Sequence, residues 1–226
     1  MNALKLPNYQ RLVSARRSCT ACPSLKNPST IPGDFDSNHI GPWSWWHGDL
    51  DARLLVIGQD FADSDTFAQV RGFPGSAVTT NKLLAEFLLL AGIATEPPGP
   101  VPANRSSTLS RGLFLTNAVL CMKSGGMRAP ISDADFRNCG CRFLKPTIEL
   151  IKPRAIATLG VGALRATLSA YHLPHPPPLL QLLATKKTYA LSANSRLFPL
   201  FHPRASRSHT KQEADWKRIG YYLSEG

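Results

Sequence analysis

Long apolar runs are missing from this sequence. The longest strongly apolar stretches, such as residues 87–91, fall far short of the ~20 residues that cross a bilayer, so no membrane partner is expected. Residues 1–17 carry scattered basic side chains without a continuous apolar core. That argues against a secretory leader and leads to the expectation of a cytoplasmic protein. Cysteines are few and odd in number, five in all, which speaks against an extracellular disulfide framework. Acidic residues are scarce as well. There are 15 Asp and Glu against 26 Lys and Arg, leaving a formal net charge of +11. Such a surplus favours a polyanionic partner, most simply nucleic acid, over the bland alternative of a merely solvated basic surface. What is present, 226 residues with 43% of them apolar, suffices for one domain over residues 1–226 with a full core.

Four short apolar runs read as buried strands: residues 53–58 (RLLVIG), 112–120 (GLFLTNAVL), 155–159 (AIATL) and 196–201 (RLFPLF). Between them lie helical patterns. Residues 79–91 place Leu83, Leu84, Phe87 and Leu88 at helical spacing, closed by Gly92. A helix begins at Ser132 with Asp133 and Asp135 in its first turn, is kinked or restarted at Pro146, and runs to Ile151. Helices follow over residues 161–169 and 210–223, the last with Trp216, Ile219, Tyr222 and Leu223 on one face. Strands alternating with helices predict a three-layer α/β/α sandwich around a central, mostly parallel four-stranded sheet. Ligands of such sheets gather at the carboxyl ends of the strands, where Gln59, Asp60, Asn117 and His202 fall.

Each of these residues has an ordinary reading: a post-strand Asp caps a turn, an Asn satisfies backbone, a His sits on the surface. Together they suggest a site, with Asp60 as base or electrostatic stabiliser, Asn117 reading the edge of a heterocycle, and His202 as donor to a developing anion. The cysteines suggest metal. Cys19 and Cys22 form a C-x-x-C pair, Cys121 follows a strand, and Cys139 and Cys141 lie near a helix start. Four thiolates suit an iron–sulfur cluster or a zinc site, and spacing alone does not separate the two.

The ordered set CTAC (19–22), VIGQD (56–60), Gly72-Phe73-Pro74, FLTNAVLC (114–121), IKPRAIATLG (151–160) and HPRAS (202–206) resembles the uracil-DNA glycosylase superfamily, most nearly its iron–sulfur branch of the family 4 type. The resemblance implies a monofunctional glycosylase that removes uracil, or a related deaminated base, from single- or double-stranded DNA and works as a monomer. It assigns Asp60 and His202 to catalysis, and Gly58, Gln59, Phe73 and Asn117 to the base. Phe73 would stack on the flipped base and Asn117 would read its edge. It assigns Arg204, Ser206, Arg207 and Lys211 to DNA, and Cys19, Cys22, Cys121 and Cys139 to a 4Fe–4S cluster, with Cys141 as the alternative fourth ligand and zinc as the alternative metal. Two departures stand out. Gly58-Gln59-Asp60 is nearer the form of the cluster-free enzymes. Ala62 replaces the Tyr that excludes thymine in them, which opens the lesion range to bases such as hypoxanthine. A metal-containing nucleic-acid-binding module without activity is the reading from another class.

Overall fold

Apolar runs with two opposed faces need cover on both sides, and the computed structural model shows how this chain supplies it. It describes residues 5–30, 48–61, 63, 79–93 and 112–225. Among them the elements run α1 (Lys5–Arg17), β1 (Leu25–Lys26), β2 (Leu54–Asp60), α2 (Thr79–Leu90), β3 (Leu113–Val119), β4 (Met122–Lys123) and α3 (Asp133–Cys139). A π-helical turn (Gly140–Leu144) leads into α4 (Lys145–Ile151), followed by β5 (Ala155–Leu159), α5 (Val161–Ala170), α6 (Leu179–Ala184), β6 (Tyr189–Ala190), β7 (Arg196–Leu200) and α7 (His209–Ser224). No helix among the described residues is long and apolar enough to cross a membrane.

The central sheet has the order β3-β2-β5-β7-β6, the first four strands parallel. The expected four strands are all there. The correction is a fifth: two-residue β6 pairs antiparallel with Leu197 and Arg196, and is too short to leave a sequence pattern. Pro199 fits this edge for a reason of parity. Arg196 donates its N–H towards β5, to Arg154 O, so alternation turns the nitrogen of Pro199 to the other edge, past the end of β6.

Alternation along each strand divides the core in two. Leu55, Ile57, Phe114 and Ile156 face α4, α5 and α6 through Ile148, Leu164 and Leu182. Leu54, Val56, Leu115 and Phe198 face α2 and α7 through Phe87, Leu88, Trp216 and Ile219. This is the expected three-layer sandwich. Phe87 and Trp216 join the second cover helices to each other, their rings stacked 5.9 Å apart.

The stretch from Ser132 restarts at Pro146 as expected, by way of a π-helical turn. Ser132 and Asp135 form a reciprocal capping box at its start. Pro146 does not break the helix, because the turn before it widens: Lys145 N–H reaches back to Gly140 O, and Pro146 falls in the first turn of α4, where its missing N–H costs nothing.

Candidate active site and cysteine corner

The carboxyl ends of β2, β3 and β7 bring the candidate residues to one rim. β2 runs two residues further than its apolar run, so Asp60 is still in register, opposite Val119 of β3, and Gly58 lies opposite Asn117. Gly58 is glycine for a steric reason: a Cβ there would overlap Asn117 Oδ1. The Asn117 amide therefore lies against bare backbone. It is only 5% exposed.

Asp60 is held at both carboxylate oxygens. Gln59 Nε2 donates to Oδ2 at 2.7 Å, and Lys123 Nζ stands 3.3 Å from Oδ1. Gln59 in turn occupies space that a side chain at Gly162 would fill. Lys123 is a residue the sequence reading missed. It comes from the two-residue β4, and nothing in its local pattern marks it.

His202 follows β7 by two residues. Its Nδ1 accepts from the Arg204 backbone N–H at 3.2 Å, which leaves the proton on Nε2, and its carbonyl accepts from Ala205 N–H at 2.8 Å. Surrounding protein atoms lower its pKa, and the Arg204 charge adds to this, against an opposing pull from Asp60. The imidazole is thus a neutral donor within electrostatic reach of the carboxylate. Phe73 and Ala62 lie outside the described residues.

Of the residues expected to meet DNA, Arg204, Ser206 and Lys211 are exposed, Arg204 beside His202. Arg207 turns inward: its guanidinium pairs with Asp215 at 3.2 Å and lies 5.2 Å over the Phe201 ring.

The cysteines gather on the other side of β4. β1 and β4 pair antiparallel, Leu25 opposite Lys123, and fasten the Cys19–Cys22 loop beside Cys121. Cys19, Cys22 and Cys121 line a hollow of about 260 Å³. Cys139 is buried behind it, its Sγ accepting from Leu120 N–H at 3.3 Å, while Cys141 is exposed. Burial pushes the Cys121 thiol up to about 11 and the Cys139 thiol up to about 12. Burial, then the hydrogen bond to Asp135, pushes Cys22 up to about 12. Charges of Cys22, Cys121 and Cys139 act on one another, so these sulfurs share one neighbourhood. Arg16, 2% exposed, lies among them and donates to Leu120 O at 2.9 Å; it too was missed in the sequence.

Among the described residues no group of three or more His, Cys, Asp or Glu is arranged to hold a metal ion. In a four-iron cluster each thiolate binds its own iron, so the sulfurs need not converge on one point. The four-thiol donor set with a buried guanidinium beside it fits such a group in kind.

Comparison with known proteins gives the following. The model of the uracil DNA glycosylase superfamily matches residues 45–223. The chain is 30% identical over 168 residues to the type-5 uracil-DNA glycosylase of Pyrobaculum aerophilum, an alignment covering 71% of this chain and 69% of that protein. That relative carries the type-5 name, whereas the motif likeness was to the family 4 type; the superfamily is common to both.

Proposed function

Because the chain belongs to the uracil DNA glycosylase superfamily, we propose that it is a monofunctional DNA glycosylase, hydrolysing the N-glycosidic bond of uracil or a related deaminated base in DNA. The observation that carries this reading is the Asn117 amide, buried against the bare backbone of Gly58, on the same sheet rim as Asp60 and His202. A primary amide held in that way offers an acceptor beside a donor, the complement of a flat ligand with a donor next to an acceptor.

Glycosidic cleavage leaves positive charge on the sugar and negative charge on the base, so a preorganised site must meet both. Asp60 faces the sugar cation and orients the attacking water. His202, with its proton fixed on Nε2, donates to uracil O2 as charge grows there. Asn117 accepts from N3–H and donates to O4. Cytosine presents the reverse pattern and would leave buried groups unpaired, which is the costly kind of mismatch. Phe73 is assigned to stack on the extruded base, and extrusion is cheapest from a mismatch or a single strand. Arg204, Ser206 and Lys211 serve the phosphates and the mouth of the site.

Cys19, Cys22, Cys121 and Cys139 would hold a 4Fe–4S cluster, whose contribution there is a cross-link between the N-terminal segment, the end of β3 and α3. Hydrolysis needs no redox step from it.

The deciding measurement is single-turnover release of uracil from an oligonucleotide by wild type and Asp60→Asn, each folded and equally loaded. The substitution keeps the shape and removes the charge, so the rate should fall about 10²–10³-fold with DNA affinity retained. Equal rates would remove Asp60 from the mechanism.

A further inference from the structure

Lys123 is a buried cation that the chemistry above does not use. It is 7% exposed, too enclosed to meet a phosphate. An ammonium taken out of water is costly unless it is paired, and Lys123 has two partners among the described residues. Its Nζ lies 3.3 Å from Asp60 Oδ1 and donates to Met127 O at 2.6 Å. Both side chains of the ion pair are 8% exposed. The backbone that presents the amine is fixed from two sides. Lys123 pairs with Leu25 in the β1–β4 ribbon, and it bridges in parallel to Asp63, three residues beyond Asp60. The second carboxylate oxygen of Asp60 is held independently by Gln59. Each oxygen thus has its own donor, Gln59 from the same strand and Lys123 from the β1–β4 ribbon, and the carboxylate plane cannot turn without breaking one of them.

We propose that Lys123 is a positioning residue for base excision: through Oδ1 it fixes the plane of the Asp60 carboxylate and sets the negative charge presented to the sugar cation. The inference rests on the reading that Asp60 is the catalytic carboxylate. Its physical content is that a reacting group misplaced by 1 Å loses about 10²-fold in rate. The competing account is local. Through Met127 O, Lys123 would merely latch the turn containing Gly125 and Gly126, both at positive φ.

A double-mutant cycle separates the two. Single-turnover uracil release and DNA affinity are measured on the full, metal-loaded chain for Lys123→Met, Lys123→Arg, Asp60→Asn and the Lys123→Met/Asp60→Asn double variant, per folded molecule. Lys123→Met should slow release by about 10²-fold and leave affinity unchanged. Lys123→Arg, which restores the charge, should recover most of the rate. In the Asp60→Asn background Lys123→Met should add almost nothing, because its only route to the reaction has been removed. An equal loss in both backgrounds, or no loss in wild type, overturns the proposal and leaves the latch. If Lys123→Met does not fold, Lys123→Gln, which keeps a donor for Met127 O without the charge, goes through the same cycle. Asp60→Asn alone reports on the underlying reading: a wild-type rate there removes both.

Discussion

Gly58→Ala adds one methyl group and should change the sign of its effect with the residue across the ladder. Gly58 is not among the glycines with positive φ, so alanine is compatible with the backbone. By itself, removing glycine's freedom in the unfolded chain stabilises by about 0.4–1 kcal/mol. Against this, the new Cβ overlaps Asn117 Oδ1. Overpacking of that kind costs about 1–3 kcal/mol, so Gly58→Ala should lose on the order of 1 kcal/mol net. With the Asn117 amide pushed from its seat, uracil release should drop about 10²-fold, the usual penalty for a reading group displaced by an ångström. In an Asn117→Ala background the obstruction is gone, and the same substitution should raise stability by about 0.4–1 kcal/mol. Urea melts of the four proteins, read by fluorescence and by circular dichroism, measure both effects. Equal destabilisation in the two backgrounds, or wild-type excision by Gly58→Ala, would refute the steric argument.

His202 has a lowered pKa, so the unfolded chain binds its proton first as pH falls; its share of stability is full above the ordinary value of about 6.5 and is lost between there and the folded value. The acid limb of the excision rate should therefore have its midpoint below about 6.5, vanish in His202→Gln, and move upward in Arg204→Ala, as pH–rate profiles would show. Arg204→Ala and Lys211→Ala should each flatten the log–log salt dependence of duplex binding by about 0.9 per lost phosphate contact. Arg207→Ala should leave that slope alone and lower the melting temperature, since it strips Asp215 of its partner; anisotropy titrations and thermal melts distinguish the two. The purified protein should be brown, with absorption near ~400 nm. Ser at Cys19, Cys22, Cys121 or Cys139 should abolish the colour, whereas Cys141→Ser should retain it. A colourless, zinc-loaded protein from an anaerobic preparation with iron would reject the cluster.

The rim was readable because strand ends are written locally: an apolar run, then a Gly or a polar residue. The run 53–58 and the placement of Asn117 and His202 after such runs sufficed to bring them together. What the chain did not reveal depends on distant partners. Arg16 reaches Leu120 O across 104 residues. Helix α1 buries one aromatic and one cation, Tyr9 and Arg16, so it has no apolar stripe to announce it. Lys123 owes its role to a two-residue ribbon and a single bridge, features below the length at which a period can be seen. Arg207 looks like its basic neighbours in sequence, and only the helix carrying Asp215 turns it inward.

The order β3-β2-β5-β7 also governs when the rim comes into being. Parallel pairing bears the entropy of loop closure before any contact rewards it. A chain growing at about 5–20 residues per second can align β2, β3 and β5 once residue 159 has emerged, carrying Asp60 and Asn117 but not His202. His202 arrives only when Arg196–Leu200 is laid along β5 and α7 closes over the far face. Chains that end before β7 therefore lack the part of the rim that carries His202.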